Sequence, residues 1–475
     1  MSYTERLSAI IEEKRDAIIE VSDGVWDHPE LGFREEKSAE ILCAALEKEG
    51  FHVERTVGGM NTAFIGSYGS GTPIVAILGE FDALSGLSQV PGSTEKKAIP
   101  GDENGHGCGH NLLGSGALAA AVALRYYMEE NNIAGTIRYY GCPAEEAGAG
   151  KTHLVRDGYF DDVDLALTWH PSSHNKIWTE GSLACLGGSY RFEGTSAHAA
   201  ASPHLGRSAL DAVELMNVGV NYLREHVIQE ARIHYAITNA GGFSPNVVQP
   251  EAEVFYYIRA PRVKQAREIM ERVNNVARGA ALMTGTTAII PRVSGLSDLV
   301  PNTTLQKLMF EQFEALGVPT FDDKEQDFAE KLQATLTEQE LQSDINGIKA
   351  LQGKAISDIL EPFEETNAIM FGSTDVGDVS WKVPTAQCNT ATWVVGTPAH
   401  TWQAVSVGRT SQAHKATLHA GKVIAATAIA ALLNPEVIEQ AKQELADRTD
   451  SDPYMSPLDP GYNFYDLYQK PKVEL

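Results

Sequence analysis

Basic residues are scarce in this chain: 38 Lys and Arg stand against 63 Asp and Glu, a formal net charge of −25 over 475 residues. Such a surface repels a phosphate backbone, which argues against a nucleic-acid partner, and an anionic ligand must be met by a few local cations. Cysteine is sparse as well. The five (Cys43, Cys108, Cys142, Cys185 and Cys388) are odd in number and form no CxxC pair, so a disulfide framework is not expected and reduced thiols in a cytoplasm are. No run approaches the roughly 18 unbroken apolar residues of a membrane span. The opening stretch MSYTERLSAIIEEKRDAIIE is charged and amphipathic rather than a secretory signal. A membrane partner is not expected. Two familiar motifs are also missing. HExxH does not occur, and GAGKT at 148–152 lacks the glycine that a phosphate loop needs five residues before Gly150, where Glu145 stands.

What is present reads as an ordinary globular protein, 43% hydrophobic and 21% charged, long enough for two domains. Apolar residues recur at helical steps through residues 5–50, broken at HPELGF. NTAFIGSY and PIVAILGE read as strands, LLGSGALAAAVALRYYMEE as a buried helix, TIRYYGC as a strand, THLVRDG as a short helix and VDLALTWH as another strand. This alternation predicts an α/β fold, a mostly parallel, doubly wound sheet. Near Cys185 the pattern changes to several strands with two helices, which predicts a smaller α+β insert over 186–296 inside a discontinuous domain of 1–185 and 297–475. Residues 320–365 read as a polar helical excursion on the surface. The sheet pattern resumes in ATWVVGTPAHTW, and the last 30 residues show no period.

The stretch ENGHGCGHNLLG, Glu103 to Gly114, sets His106, Cys108 and His110 among glycines. Two glycines in one turn cost a helix roughly 2 kcal/mol, so the three side chains belong to a loop. In open parallel sheets ligands bind beyond the carboxyl ends of the strands. Four expected strands end there on Phe81-Asp82, on Pro143 and then Glu145-Glu146, on His170, and on the approach to His400. A cluster of imidazole, thiol and carboxylate can hold borderline cations such as Zn²⁺ or Mn²⁺. Adjacent glutamates can then divide two roles, one binding an ion and one acting as a general base.

The ordered set DHPELGFREEKSAEILCAALEKEGF, GEFDAL, GHGCGHN, CPAEEAGAG, TWHP, GTSAHAAASPHLGRSALDA, SPNVVQPEAEVFYYIRAP and GTPAHTW resembles the dinuclear-metal peptidase family of aminoacylases, glutamate carboxypeptidases and auxin-conjugate hydrolases, over about residues 5–430. That resemblance implies a catalytic domain interrupted by a lid that also dimerises, with two divalent ions, Mn or Zn. It implies that Cys108 bridges the ions, that His110, Glu146, His170 and His400 complete the ligands, and that Glu145 is the base. Asp82 would orient the site from behind, and His106 would shape the loop. His198, reaching in from the other subunit, would polarise the scissile carbonyl, while Asn246 and Arg259 would grip the substrate. The implied reaction is hydrolysis of the amide of an N-acyl or N-aroyl amino acid, with p-aminobenzoyl-glutamate the foremost candidate. A dipeptidase, an aminoacylase or a non-catalytic partner subunit are the alternatives, as is a thiol enzyme using Cys108 with His110. A homodimer is implied, with room for a homologous second subunit. One departure stands out: auxin-conjugate relatives carry Asp after CGH, and this chain carries Asn111. Asp375 and Asp378 in STDVGDVSW are expected near the site without an assigned role.

Overall fold

The structure is a computed structural model that describes residues 2–450 and 452–464. Residues 465–475, which the sequence reading assigns to the catalytic domain, lie outside the described residues. Two compact units divide the chain. The first gathers Met1–Glu180, Val300–Asn367 and Val379–Asp452; the second gathers Gly181–Leu299, Ala368–Asp378 and the described part of the segment opening at Pro453.

A seven-stranded sheet forms the centre of the first unit. Its strands in chain order are β1 (His52–Arg55), β2 (Phe64–Ser70), β3 (Ile74–Glu80), β4 (Gly135–Cys142), β5 (Leu165–Ser172), β6 (Lys176–Ile177) and β7 (Thr385–Ala391). They lie side by side as β1-β2-β4-β3-β5-β7-β6. The central four, β4-β3-β5-β7, run parallel. The flanking pairs β1–β2, β2–β4 and β7–β6 are antiparallel. Every residue of β3, IVAILGE, is buried, as an apolar run without alternation requires of a strand covered on both faces.

Helices α1 (Tyr3–Glu13), α2 (Arg15–Trp26), α3 (Glu36–Lys48), α4 (His110–Asn131) and α5 (Gly150–Arg156) precede or interleave with these strands. Later come α6 (Asp323–Gln333), α7 (Glu338–Ile345) and α8 (Ser411–Leu433). α4 and α8 pack on one another through small residues: a Cβ on Gly421 would stand 2.8 Å from that of Ala119. By length and composition α8 could cross a membrane, but 83% of its most apolar window is buried inside the protein. It is a core helix.

In the second unit the strands Arg232–Asn239, Glu251–Ala260, Ala184–Glu193 and Thr287–Ile289 lie in that order in an antiparallel sheet. Helices Ala209–Leu223 and Val263–Thr284 cover one face, and Tyr190, Phe192, Val254, Tyr256 and Val273 form a core of the unit's own.

Two expectations need correction. The buried run Trp393, Val394 and Val395 is not a strand; the strand is β7, which ends at Ala391. Beyond it the chain leaves the ladder, because Trp393 N bonds Ser172 O and Val395 N bonds Ala355 O. Residues 320–365 are more than a surface excursion. Ala329 and Leu332 join the main core, while Ile345 and Leu351 close on Val395.

Candidate metal centre

Parallel strands end together, and their register shows where. Glu80 is paired with Cys142 across β3 and β4, and His170 with Asn389 across β5 and β7. The groups just beyond these ends therefore share one rim of the sheet.

The glycine-rich loop meets that rim because its glycines allow it. Gly109 has φ +74 and is the N-cap of α4, so the chain swings from Cys108 directly into His110 at the first helical position. At Gly107 a Cβ would lie 3.3 Å from His400 Cα and 2.5 Å from Leu87 Cδ1. The close approach is used: His400 N donates to Gly107 O at 2.9 Å. His400 itself holds φ +62, a left-handed backbone that a non-glycine residue adopts at some cost.

Two groups of three side chains result, each with ligand atoms within 4.8 Å of one another. Cys108, His110 and His170 form one, and Cys108, Glu146 and His400 the other. Cys108 is the corner they share. Its Sγ lies 3.4 Å from His170 Nε2, and Glu146 Oε1 lies 3.2 Å from His400 Nε2. A third group, Glu80, His110 and Glu145, overlaps the first at His110.

The surrounding hydrogen bonds leave the right atoms facing inward. His170 Nδ1 donates to Pro171 O and His110 Nδ1 donates to Asp82 Oδ1, each at 2.8 Å, so both Nε2 atoms face the cluster. Asp82 also accepts from Glu146 N at 3.0 Å. Burial would raise the Glu146 carboxyl, but His400 and His110 outweigh it and hold the group at about 2. Among the described residues the buried Nε2 of His110 makes no hydrogen bond, although the Glu80 carboxylate stands 3.2 Å from it. A thiol, imidazoles and carboxylates around such an atom suit a borderline divalent ion.

Sequence reasoning missed three buried groups behind this rim. Lys151 Nζ sits 2.6 Å from Glu80 Oε1, and Glu80 Oε2 lies 3.2 Å from His110 Nε2. Lys151 belongs to the GAGKT stretch that fails as a phosphate loop; its partner is a carboxylate. Glu35 accepts from Ala144 N at 2.8 Å and from Thr62 Oγ1 at 2.9 Å, and burial, then the charge of Asp82, pushes its carboxyl up to about 8. His106 donates to Val25 O at 3.1 Å. Asn111 turns away to donate to Gly408 O at 3.0 Å, a bond that a carboxylate could not make.

The remaining expected site residues belong to the second unit. His198 is exposed, and its Nδ1 accepts from Ala200 N and Ala201 N at 3.2 and 3.1 Å. Asn246 lies beside it, since Ala199 N donates to Asn246 O at 2.9 Å. Arg259 donates through Nη1 to Ser373 Oγ at 2.6 Å. Asp378 accepts from Ser297 N, Ser297 Oγ and Tyr454 OH at 3.0, 2.7 and 2.7 Å, which braces that unit internally. Asp375 is fully buried.

Comparison with known proteins places these features in context. Residues 76–430 match the peptidase family M20/M25/M40. The chain is 48% identical to a subunit of the p-aminobenzoyl-glutamate hydrolase of Escherichia coli (strain K12), covering 94% of this chain and 96% of that one. With Xaa-Arg dipeptidase of Mus musculus the identity is 28%, over 92% and 91% of the two chains. A Bacillus subtilis protein described as a dinuclear metal binding peptidase shares the fold at TM-score 0.52 and 16% identity, covering 88% and 99% of the two chains.

Proposed function

Because the chain belongs to peptidase family M20/M25/M40, we propose that it hydrolyses the amide joining an aroyl or acyl group to an amino acid, with p-aminobenzoyl-glutamate as the substrate. The named substrate follows the 48% identical E. coli relative. The observation that carries the reading is the pair of side-chain triads that share the Cys108 sulfur.

Cys108, His110 and His170 would hold one ion and Cys108, Glu146 and His400 the other, with Cys108 as the bridge. Two divalent ions there, zinc or manganese, would supply Lewis acidity to a water and to the amide carbonyl. Glu145 stands beside the first triad, its carboxylate within ligand reach of His110. It takes the proton from the attacking water and returns it to the leaving nitrogen. Asp82 holds His110 and the Glu146 backbone in register. His198 donates to the oxyanion that forms at the carbonyl, while Asn246 and Arg259 bind the amino-acid half.

A homodimer suits the second unit, whose edge strand Arg232–Asn239 leaves one side without a partner strand among the described residues. The E. coli relative is named as one subunit of its hydrolase, which favours a second, homologous chain as well. A cytoplasmic location suits five buried, free thiols.

Glu145→Gln tests the assignment. The variant is expected to lose about 10³-fold or more in kcat on p-aminobenzoyl-glutamate while its metal content, read by plasma mass spectrometry, equals that of the wild type. Retained turnover removes Glu145 from the mechanism. Wild-type activity that survives exhaustive chelation would instead favour the thiol-enzyme alternative.

A further inference from the structure

Most of the chain's positive charge is neutralised where it stands. In the second unit Arg191 faces Glu193 and Glu251, Arg262 faces Asp298, Arg267 faces Asp459 and Arg278 faces Glu271. Arg224, Arg232 and Arg259 have no carboxylate partner among the described residues; Arg207, Arg272 and Arg292 have none either, but they bond only backbone carbonyls at other places. The first three are gathered in one place. Arg232 and Arg259 are direct cross-strand partners on the strands Arg232–Asn239 and Glu251–Ala260. Arg224 donates to the carbonyl of Ile233, the next residue along. His234 lies among them; its imidazole is pulled down by burial and then by Arg259, Arg224 and Arg232.

Strand alternation sets the direction. Ile233, Tyr256 and Ile258 point into the unit's core, so Arg232, His234, Tyr257 and Arg259 occupy the opposite face of the sheet. The segment Ala368–Asp378 meets that face, placing the Phe371 ring 4.9 Å from the Arg232 guanidinium and Ser373 Oγ on Arg259. An unneutralised basic floor with aromatic walls, in a protein of net charge −25, is built to receive an anion.

The two central guanidiniums are anchored in the same way. Arg232 donates through Nη1 to Gln229 O and Ala231 O at 2.7 and 2.9 Å. Arg259 donates through Nη1 to Ser373 Oγ, which in turn donates to Leu183 O at 2.7 Å. Each side chain is thereby fixed at one nitrogen, while its Nε–Nη2 edge makes no bond to a described residue. That edge is the fork that takes a carboxylate with two parallel hydrogen bonds.

We infer that Arg232 and Arg259 together read a dicarboxylic amino acid: Arg259 takes the α-carboxylate and Arg232 the side-chain carboxylate of the residue to be released. The inference rests on the amidohydrolase reading and deepens it, since a single fork serves any acyl-amino acid and a second selects glutamate or aspartate. Arg224 flanks the second fork and keeps its surroundings positive.

The test compares kcat/KM for p-aminobenzoyl-glutamate and p-aminobenzoyl-glutamine in the wild type, Arg232→Gln and Arg259→Gln. In Arg232→Gln the glutamate-over-glutamine ratio should fall by about tenfold or more, the loss of one charge-assisted fork, with the change carried by KM. In Arg259→Gln both substrates should suffer and the ratio should hold. An unchanged ratio in Arg232→Gln, with circular dichroism equal to that of the wild type, overturns the inference. If Arg232→Gln fails to fold, Arg232→Lys decides: it keeps the charge but not the fork, and an unchanged ratio there overturns the inference equally. Free glutamate against free glutamine as thermal-shift ligands reads the same preference without turnover. A wild-type preference for glutamate that persists in Arg232→Gln refutes the role. Wild-type protein that hydrolyses neither substrate while its thermal shift keeps the Arg232-dependent preference would instead refute the amidohydrolase reading and leave the carboxylate reader standing.

Discussion

At the scale of single residues, the most consequential contact behind the metal centre is between two groups that rarely enter a protein interior. The Lys151 side chain is fully buried and that of Glu80 is 3% exposed, 2.6 Å apart. Burial would raise the Glu80 carboxyl, but Lys151 and then His110 outweigh it, and the group is held below its ordinary range. A buried charge that loses its partner is costly, because no water replaces it. Lys151→Met should therefore cost about 3–5 kcal/mol, read from urea unfolding of the metal-free protein. A loss under about 1 kcal/mol, the range of an exposed pair, would mean that Glu80 finds other solvation. The reverse inference is also instructive. In the sequence Lys151 belongs to a failed phosphate loop, and nothing in that local pattern names Glu80, 71 positions earlier, as its counter-ion.

At the scale of elements, the polar segment 320–365 acquires a role that its composition conceals. Asp344, near the end of α7, accepts from Gly396 N at 2.7 Å, from Ser173 Oγ at 2.9 Å and from His174 Nε2 at 3.1 Å. Gln333 donates to Val395 O at 2.9 Å, and Asn175 donates to Ser357 O and Ile359 O, each at 3.2 Å. The segment thus braces the stretch that follows β5, the strand that carries His170, and the stretch after β7 that leads to His400. His174 is the titrating member of this brace. Burial pulls its imidazole down, but Asp344 and Glu361 outweigh burial and hold it at about 9 against an ordinary 6.5. A folded-state value above the unfolded one means that the stabilisation is complete below about pH 6.5 and disappears as pH rises through 9. The linkage is worth about 3 kcal/mol. The melting-temperature gap between wild type and His174→Gln should then be wide at pH 6 and narrow at pH 9.5. A gap of constant width would show that the brace does not depend on the imidazolium.

At the scale of the whole molecule, the second unit keeps a surface that a lone chain has little reason to expose. Its edge strand shows Tyr235 and Ile237 to solvent, and the helix Ala209–Leu223 shows Leu215, Val218 and Tyr222. Unpaired edges and apolar patches of this kind mark association sites. In the proposed homodimer, Ile237→Lys should shift the protein to a monomer at micromolar concentration, measured by sedimentation velocity. Activity should fall with it, since the proposed role of His198 is to reach the partner's site across that interface. A dimer that survives the charge would place the interface elsewhere.

The legible part of this protein was whatever repeats over short distances. An all-apolar β3, an alanine-rich α4 bounded by Gly109, and the change of pattern near Cys185 are local properties, since helix and strand periods are set by neighbouring residues. So were the ligand types, though not every placement: the glycines keep His106 and Cys108 in a loop, but His110, expected there with them, opens α4 because Gly109 caps that helix instead of breaking it. Family likeness then supplied the ordered ligand set. Local pattern failed where a buried run was mistaken for a strand at Trp393–Val395, because burial alone does not say which backbone is its hydrogen-bond partner. The meeting of both triads at Cys108, the burial of Lys151 on Glu80, the clamp of Asp344 and the cross-strand pairing of Arg232 with Arg259 were decided by tertiary structure. Each joins groups distant in the chain, and such contacts exist only once sheet register and loop closure have been set.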